Sequence, residues 1–150
     1  MATPDPYAEH AFTFRIDRAI TDQVIEKIEA TPLIPLSENC APNKKGAYLL
    51  YYKNDLVYAG KAMKTRLRAR LAQHAKKISE RQNISLKDMT CRFIVIDSDW
   101  FCRAAEDALI TSYRPLWNNS GFGSKIEGKG RPGVPGRVSR WNALYPKKGA

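Results

Sequence analysis

Gly46-Ala47-Tyr48-Leu49-Leu50-Tyr51-Tyr52-Lys53-Asn54-Asp55-Leu56-Val57-Tyr58-Ala59-Gly60 is the stretch whose reading decides the fold. A run of aromatic and aliphatic residues, a polar triplet and a second apolar run make a β-hairpin signal. If Lys53-Asn54-Asp55 is the whole loop, Tyr52 pairs with Leu56 and Leu50 with Tyr58. Tyr48 and Tyr58 then share one face of the sheet, because side chains alternate with a period of two. A two-residue loop would place them on opposite faces.

Upstream, residues 31–45 are rich in Pro, Asn and Ser and read as a linker. Before it, Thr21 is a helix-capping residue for a helix to about Ala30 with Val24, Ile25 and Ile28 as its apolar stripe. Pro32 and Pro35 end it. Phe12, Phe14, Ile16 and Ile20 suggest a short strand or an arm packed on the domain. Downstream, Leu67, Leu71, Ala75 and Ile78 recur at helical spacing over 65–78, with Arg66, Arg70 and His74 on a neighbouring stripe. Residues 82–90 read as a loop and Arg92 to Asp97 as a buried strand. Asp99 caps a helix from about Trp100 to Tyr113, ahead of Pro115. Beyond Asn118, seven of the nine glycines mix with basic residues. Phe122, Val134, Val138, Trp141, Leu144 and Tyr145 are too many apolar anchors for a free tail, so this segment is expected to fold onto the domain or onto DNA.

The chain has 150 residues and is 43% hydrophobic, which allows one domain with a real core. It lacks a run of about 18 apolar residues, and Met1 to His10 is acidic and polar, so a soluble, unexported, cytoplasmic protein with no membrane partner is expected. Cys40, Cys91 and Cys102 are scattered and read as buried thiols in a reducing cytoplasm. With only His10 and His74 present, a zinc site of His and Cys is not expected. The formal net charge is +10. Eight Lys and Arg against one Glu fall in residues 61–81, and a second basic block lies in 121–150, while residues 1–40 are acidic. Such blocks attract a polyanion through phosphate neutralisation, which makes nucleic acid the leading partner. A solvated basic face with no specific ligand is the plain alternative.

Glu106 has Cys102, Arg103, Leu109 and Ile110 as its helical neighbours, so it sits at or beside an apolar stripe. An unpaired buried ion there costs about 3–5 kcal/mol, so it calls for a metal or a cation, Arg103 or a lysine elsewhere being the structural alternative. Phosphodiester cleavage needs a base, a cation on the developing charge and usually a metal held by a carboxylate.

Read in order, these parts resemble the signature of the GIY-YIG nuclease superfamily. Gly46-Ala47-Tyr48 stands for its first triplet and Tyr58-Ala59-Gly60 for its second, with alanine in place of the usual isoleucine at two core-facing positions. Lys61 follows, then the helix with Arg70-Leu71-Ala72-Gln73-His74, a strand, Glu106 on the second helix, and Pro115-Leu116-Trp117-Asn118 in the place of the terminal asparagine. The resemblance spans residues 46–118. Gly121-Phe122-Gly123, Pro135-Gly136-Arg137 and the stretch Ser139 to Pro146 are similar to the C-terminal part of GIY-YIG type II restriction endonucleases that cut the palindrome CCGCGG.

That resemblance implies an α+β fold, a small three-stranded, mostly antiparallel sheet flanked by helices. It divides the chain into an N-terminal arm and helix (1–45), a catalytic core (46–118) and a Gly/Arg-rich DNA-recognition segment (119–150). It also implies roles. Tyr48 is the general base, Tyr58 orients water or phosphate, and Lys61 helps favour the phenolate. Arg70 binds the scissile phosphate, with Arg68 as the alternative catalytic arginine, and His74 supports the tyrosine or the phosphate. Glu106 is the direct ligand of one Mg²⁺, with Mn²⁺ tolerated, and Asn118 fixes that carboxylate or a metal-bound water. Lys64, Arg66 and Arg68 meet DNA, while Arg131, Arg137, Arg140, Asn119 and Asn142 read it in the major groove. A palindromic double-stranded DNA site with one catalytic set per chain implies a homodimer, for which the acidic N-terminal 40 residues are a candidate interface. A structure-specific repair nuclease of the same superfamily and a non-catalytic DNA-binding module on the same fold are the competing readings, and basic blocks alone do not separate DNA from RNA.

Overall fold

A computed structural model describes residues 3–123 and 139–149. Its centre is a wholly antiparallel sheet in the order β1-β4-β2-β3, formed by β1 (Ile34–Pro35), β2 (Gly46–Tyr52), β3 (Asp55–Ala62) and β4 (Met89–Val95). The sheet therefore has four strands where three were expected. The extra one comes from the linker, and Pro35 is tolerated in it because β1 lies on an edge and needs no second ladder partner. The helices are α1 (Ile16–Ala30), α2 (Leu67–Ser79), α3 (Asp99–Tyr113) and the short α4 (Arg140–Leu144). Among the described residues no helix is long and apolar enough to cross a membrane.

The hairpin closes through a shorter loop than the polar triplet suggests. Tyr52 pairs with Asp55, leaving Lys53 and Asn54 at the tip with φ of 49° and 68°. Two left-handed residues in succession suit the right-handed twist of the strands, and asparagine tolerates that conformation well. Without correction this two-residue loop would send Tyr48 and Tyr58 to opposite faces. A bulge intervenes: Tyr51 pairs with Leu56 but Leu50 pairs with Tyr58, so Val57 is the extra residue. The shift restores the alternation, and both phenols lie on the same side.

The two faces of the sheet bury different sets. On one, Tyr48, Leu50, Tyr58 and Cys91 pack with Leu67, Leu71, Ala75 and Ile78 of α2, and with Trp117, Phe122 and Trp141 from the C-terminal part. On the other, Ala47, Leu49, Ala59 and Ile94 pack with Ile28 of α1 and with Ala105 and Leu109 of α3. The two alanines of the triplets are indeed core-facing, on the α1/α3 side. Cys91 and Cys102 are buried and Cys40 half-buried, all three as free thiols.

Several boundaries differ from the local signals. α1 starts at Ile16, and Thr21 lies inside it, its hydroxyl donating to the Asp17 carbonyl. Phe12 and Phe14 form no strand and remain exposed, so the arm is not packed on the rest of the chain. β4 runs over Met89–Val95 and is not buried throughout, since Val95 faces solvent. α3 is capped by Ser98, whose hydroxyl accepts from the Phe101 N–H, and Asp99 is its first residue. α2 has no side-chain cap; the Leu67 and Arg68 N–H groups donate to the carbonyls of Lys44 and Pro42, so the linker satisfies the helix start.

Gly46 lies against the backbone of β4, where an added Cβ would overlap the Ile94 carbonyl. Since a backbone carbonyl cannot rotate away, Gly46→Ala is expected to destabilise the protein by about 1–3 kcal/mol or more. A urea titration should show a lower midpoint with an unchanged slope.

Candidate active site

The two faces of the sheet each supply part of one site. Tyr48 in β2 is fully buried, and its hydroxyl lies 2.7 Å from His74 Nε2 in α2. Tyr58 in β3 stands beside it, ring centroids 6.2 Å apart, and its edge faces the His74 ring at 5.4 Å. Gly60 is the strand partner of Tyr48, and a Cβ there would come within 2.5 Å of the Tyr48 hydroxyl oxygen. The last glycine of the second triplet is thus the space in which the first tyrosine lies.

Arg70 is one turn before His74 on the same helix stripe. Its positive charge acts on both phenols, while Nη1 donates to Gln73 at 3.3 Å and Nη2 to the Gly123 carbonyl at 3.4 Å. Arg68 points elsewhere, to the Ala41 carbonyl at 3.1 Å, so Arg70 is the arginine of this cluster. Glu106 comes from α3 on the opposite side of the sheet and is paired with Lys61 at 2.8 Å, which settles its charge partner as that lysine rather than Arg103. Its negative charge is felt at both tyrosines.

Electrostatics set the protonation states. Burial pushes Tyr48 far above the usual phenol range, with the neighbouring Tyr58 adding to the shift and Arg70 opposing it. Tyr58 is raised for the same first reason. Burial, then the charges of Arg70 and Lys77, hold His74 well below the ordinary imidazole range. Both phenols therefore carry their protons at neutral pH, and the imidazole is uncharged.

Two contributors were not singled out for the site from sequence. Phe122 stacks on His74 at 4.8 Å with an interplanar angle of 19°, and meets Tyr58 edge-on at 4.9 Å. Gly123 lies against the Tyr58 hydroxyl, where a Cβ would overlap it. The Gly-Phe-Gly triplet was visible as a motif, but only packing shows that it forms a roof over Tyr58 and His74.

Other expected members are placed differently. Asn118 is not on Glu106: its amide donates to the Ala59 carbonyl at 2.9 Å and accepts from the Ala59 N–H at 3.0 Å, closing the free edge of β3 beside Tyr58. Asn142 is buried, accepting from Arg81 and donating to Ser139, each at 2.7 Å, so its amide is engaged inside the protein rather than presented to a duplex. Lys64, Arg66, Arg68, Asn119 and Arg140 are exposed. Arg131 and Arg137 lie outside the described residues.

For a metal, the donor set is one partly buried carboxylate. Among the described residues no group of three or more His, Cys, Asp or Glu side chains could hold an ion. A lone hard oxygen ligand suits a cation that keeps most of its water, as Mg²⁺ does, and Glu106 is the residue that would hold it.

A tyrosine pair across a hairpin, an arginine and histidine on the next helix and a glutamate on the helix after that define a nuclease of the GIY-YIG class. The family model described as the Eco29kI GIY-YIG domain matches residues 57–149, and the chain belongs to this family of type II restriction endonucleases. The match covers Tyr58, Lys61, Arg70, His74, Glu106 and Asn118 and begins after Tyr48. No curated protein matches the chain. The family makes the protein a DNA endonuclease.

Because Asn118 satisfies both polar groups of the buried Ala59 peptide, Asn118→Ala leaves a donor and an acceptor without partners. A stability loss of about 1–3 kcal/mol is expected, read as a lower denaturant midpoint. Asn118→Asp, which keeps only the acceptor, should retain part of it.

Proposed function

We propose that this protein is a Mg²⁺-dependent type II restriction endonuclease of the prokaryotic cytoplasm that hydrolyses double-stranded DNA at a palindrome such as CCGCGG, acting as a homodimer with Tyr48 as general base. The observation that carries the reading is the 2.7 Å contact from the Tyr48 hydroxyl to His74 inside the cluster that also holds Tyr58 and Arg70. A standing phenolate is not the reactive form, since burial holds Tyr48 far above the usual phenol range. The uncharged His74 instead accepts the Tyr48 proton at Nε2 while the Tyr48 oxygen takes one from the attacking water. Tyr48 ends as a phenol and His74 as an imidazolium. The resulting hydroxide oxygen bonds to phosphorus as the bond to the leaving oxygen breaks, and that oxygen is protonated from solvent.

The hydrogen bonds from Arg70 to Gln73 and Gly123 are long, and a phosphate would replace them with shorter, charge-assisted bonds. Because Tyr48 is fully buried and Gly123 lies against the Tyr58 hydroxyl, catalysis requires the protein around the phenols to give way to substrate. An arriving phosphate also offsets the positive field on His74, which makes the imidazole a better proton acceptor when substrate is present. Lys61 keeps Glu106 paired and oriented. When bound at Glu106, Mg²⁺ would supply positive charge against the phosphate oxygens on which charge develops. The exposed Lys64, Arg66, Arg68 and Arg140 suit contacts to the DNA backbone, and Asn119, Arg131 and Arg137 are the proposed readers of bases.

Digestion of a plasmid of known sequence with Mg²⁺ is expected to yield discrete fragments with ends at one palindrome; a smear, or cutting only of branched DNA, would sink the restriction reading. Tyr48→Phe should lower kcat by about 10²–10⁴-fold, the usual contribution of a general base. Glu106→Gln should abolish cleavage while a gel-shift assay still detects DNA binding. Since His74 is held down by burial, the acid limb of kcat/KM is expected below the ordinary imidazole value of about 6.5.

A further inference from the structure

Arg70, His74, Lys77 and Arg81 form one stripe along and just past α2, at steps of four, three and four residues. Such a basic stripe normally faces solvent, but this one faces the C-terminal part of the chain. Lys77 Nζ donates to the Phe122 carbonyl at 2.6 Å and lies 5.3 Å from the centre of the Phe122 ring and 5.0 Å from that of Trp141. The Arg81 guanidinium lies 5.1 Å from the same indole, and its Nη1 donates to Asn142. Phe122, held in this way, is the ring stacked on His74.

We propose that Lys77 is a positioning residue of the cleavage reaction: by gripping the Phe122 carbonyl and ring, it seats the His74 imidazole against the Tyr48 hydroxyl and keeps it ready to take up a proton. The inference rests on the role given to His74 above. Two physical effects combine. The hydrogen bond and the cation–π contact fix the roof that stacks on the imidazole, so that Nε2 stays aligned with the phenol. The ammonium charge also opposes protonation of His74 before substrate arrives, alongside Arg70 and behind burial. The titratable and charged groups facing His74 are Tyr48 from β2, Tyr58 from β3, and Arg70 and Lys77 from its own helix. Of the two cations, Arg70 reaches the Gly123 carbonyl at 3.4 Å, whereas Lys77 is bonded to the carbonyl of Phe122, the residue whose ring stacks on His74. Lys77 reaches the reaction through Phe122 and His74 and has no place on the phosphate.

Lys77→Met keeps the alkyl stem over the two rings and removes the charge and the donor. With one lowering influence gone, His74 is expected to titrate at higher pH than in the wild-type protein, and the acid limb of kcat/KM should move up with it. The activity deficit should then grow as pH falls, and Lys77→Arg, which retains charge and donors, should restore the wild-type profile. His74 can be followed directly by NMR, because His10 is the one other histidine. His10→Gln removes that signal. An unmoved His74 titration in Lys77→Met, or a loss of cleavage by one constant factor across all pH, overturns the proposal while leaving the role of His74 intact. A raised His74 titration with an unmoved cleavage limb removes His74 from the reaction and Lys77 with it. Should Lys77→Met fail to fold, Lys77→Gln, an uncharged donor, is read in the same way.

Discussion

A tyrosine hydroxyl and an imidazole nitrogen, 2.7 Å apart and both enclosed by protein, set the terms for everything around them. Two polar groups in such a place are tolerated because each satisfies the other; an unsatisfied one would cost about 1–3 kcal/mol. The imidazole must be uncharged to accept from a phenol, and burial together with two nearby cations keeps it so. The phenol must have room, and a glycine across the strand pair makes it. The arrangement also needs a roof, which Phe122 supplies.

That roof ties the C-terminal part of the chain to the chemistry. The basic stripe of α2 is spent on Gly123, Phe122, Trp141, Asn142 and Tyr145 through hydrogen bonds and cation–ring contacts. Trp117, Phe122, Trp141 and Tyr145 pack together beside it, ring centroids 4.9–5.9 Å apart. Net charge therefore overstates how much of the first basic block faces a polyanion. Lys64, Arg66 and Arg68 are exposed, whereas Lys77 and Arg81 are turned inward.

The hairpin illustrates how far local pattern carries. Its two strands and the core-facing alanines were legible, and the shared side of Tyr48 and Tyr58 followed only if the loop had three residues. The loop has two residues, and the shared side is reached because a bulge at Val57 compensates. An apolar run gives no sign of where an extra residue is accommodated, since that depends on the partners opposite. Helix limits show the same weakness. Thr21 and Asp99 are good capping residues by type, but the helices begin at Ile16 and behind Ser98, whose hydroxyl accepts from the Phe101 N–H.

Sequence alone determined the hairpin and the helices that follow it, their apolar stripes and the unusual position of Glu106, because each depends on residues a few places apart, whereas the shared face of Tyr48 and Tyr58 rests on a bulge. Tertiary structure decided which groups meet. Tyr48 reaches His74 across 26 residues, Lys61 reaches Glu106 across 45, and Asn118 reaches the Ala59 peptide across 59. Such contacts depend on how helices settle on the two faces of the sheet, which local periodicity does not encode. For the same reason Asn118 and Asn142, polar and suited by type to bind a ligand, prove to be engaged within the protein, while Phe122, an apolar anchor by type, stands against Tyr58 and His74.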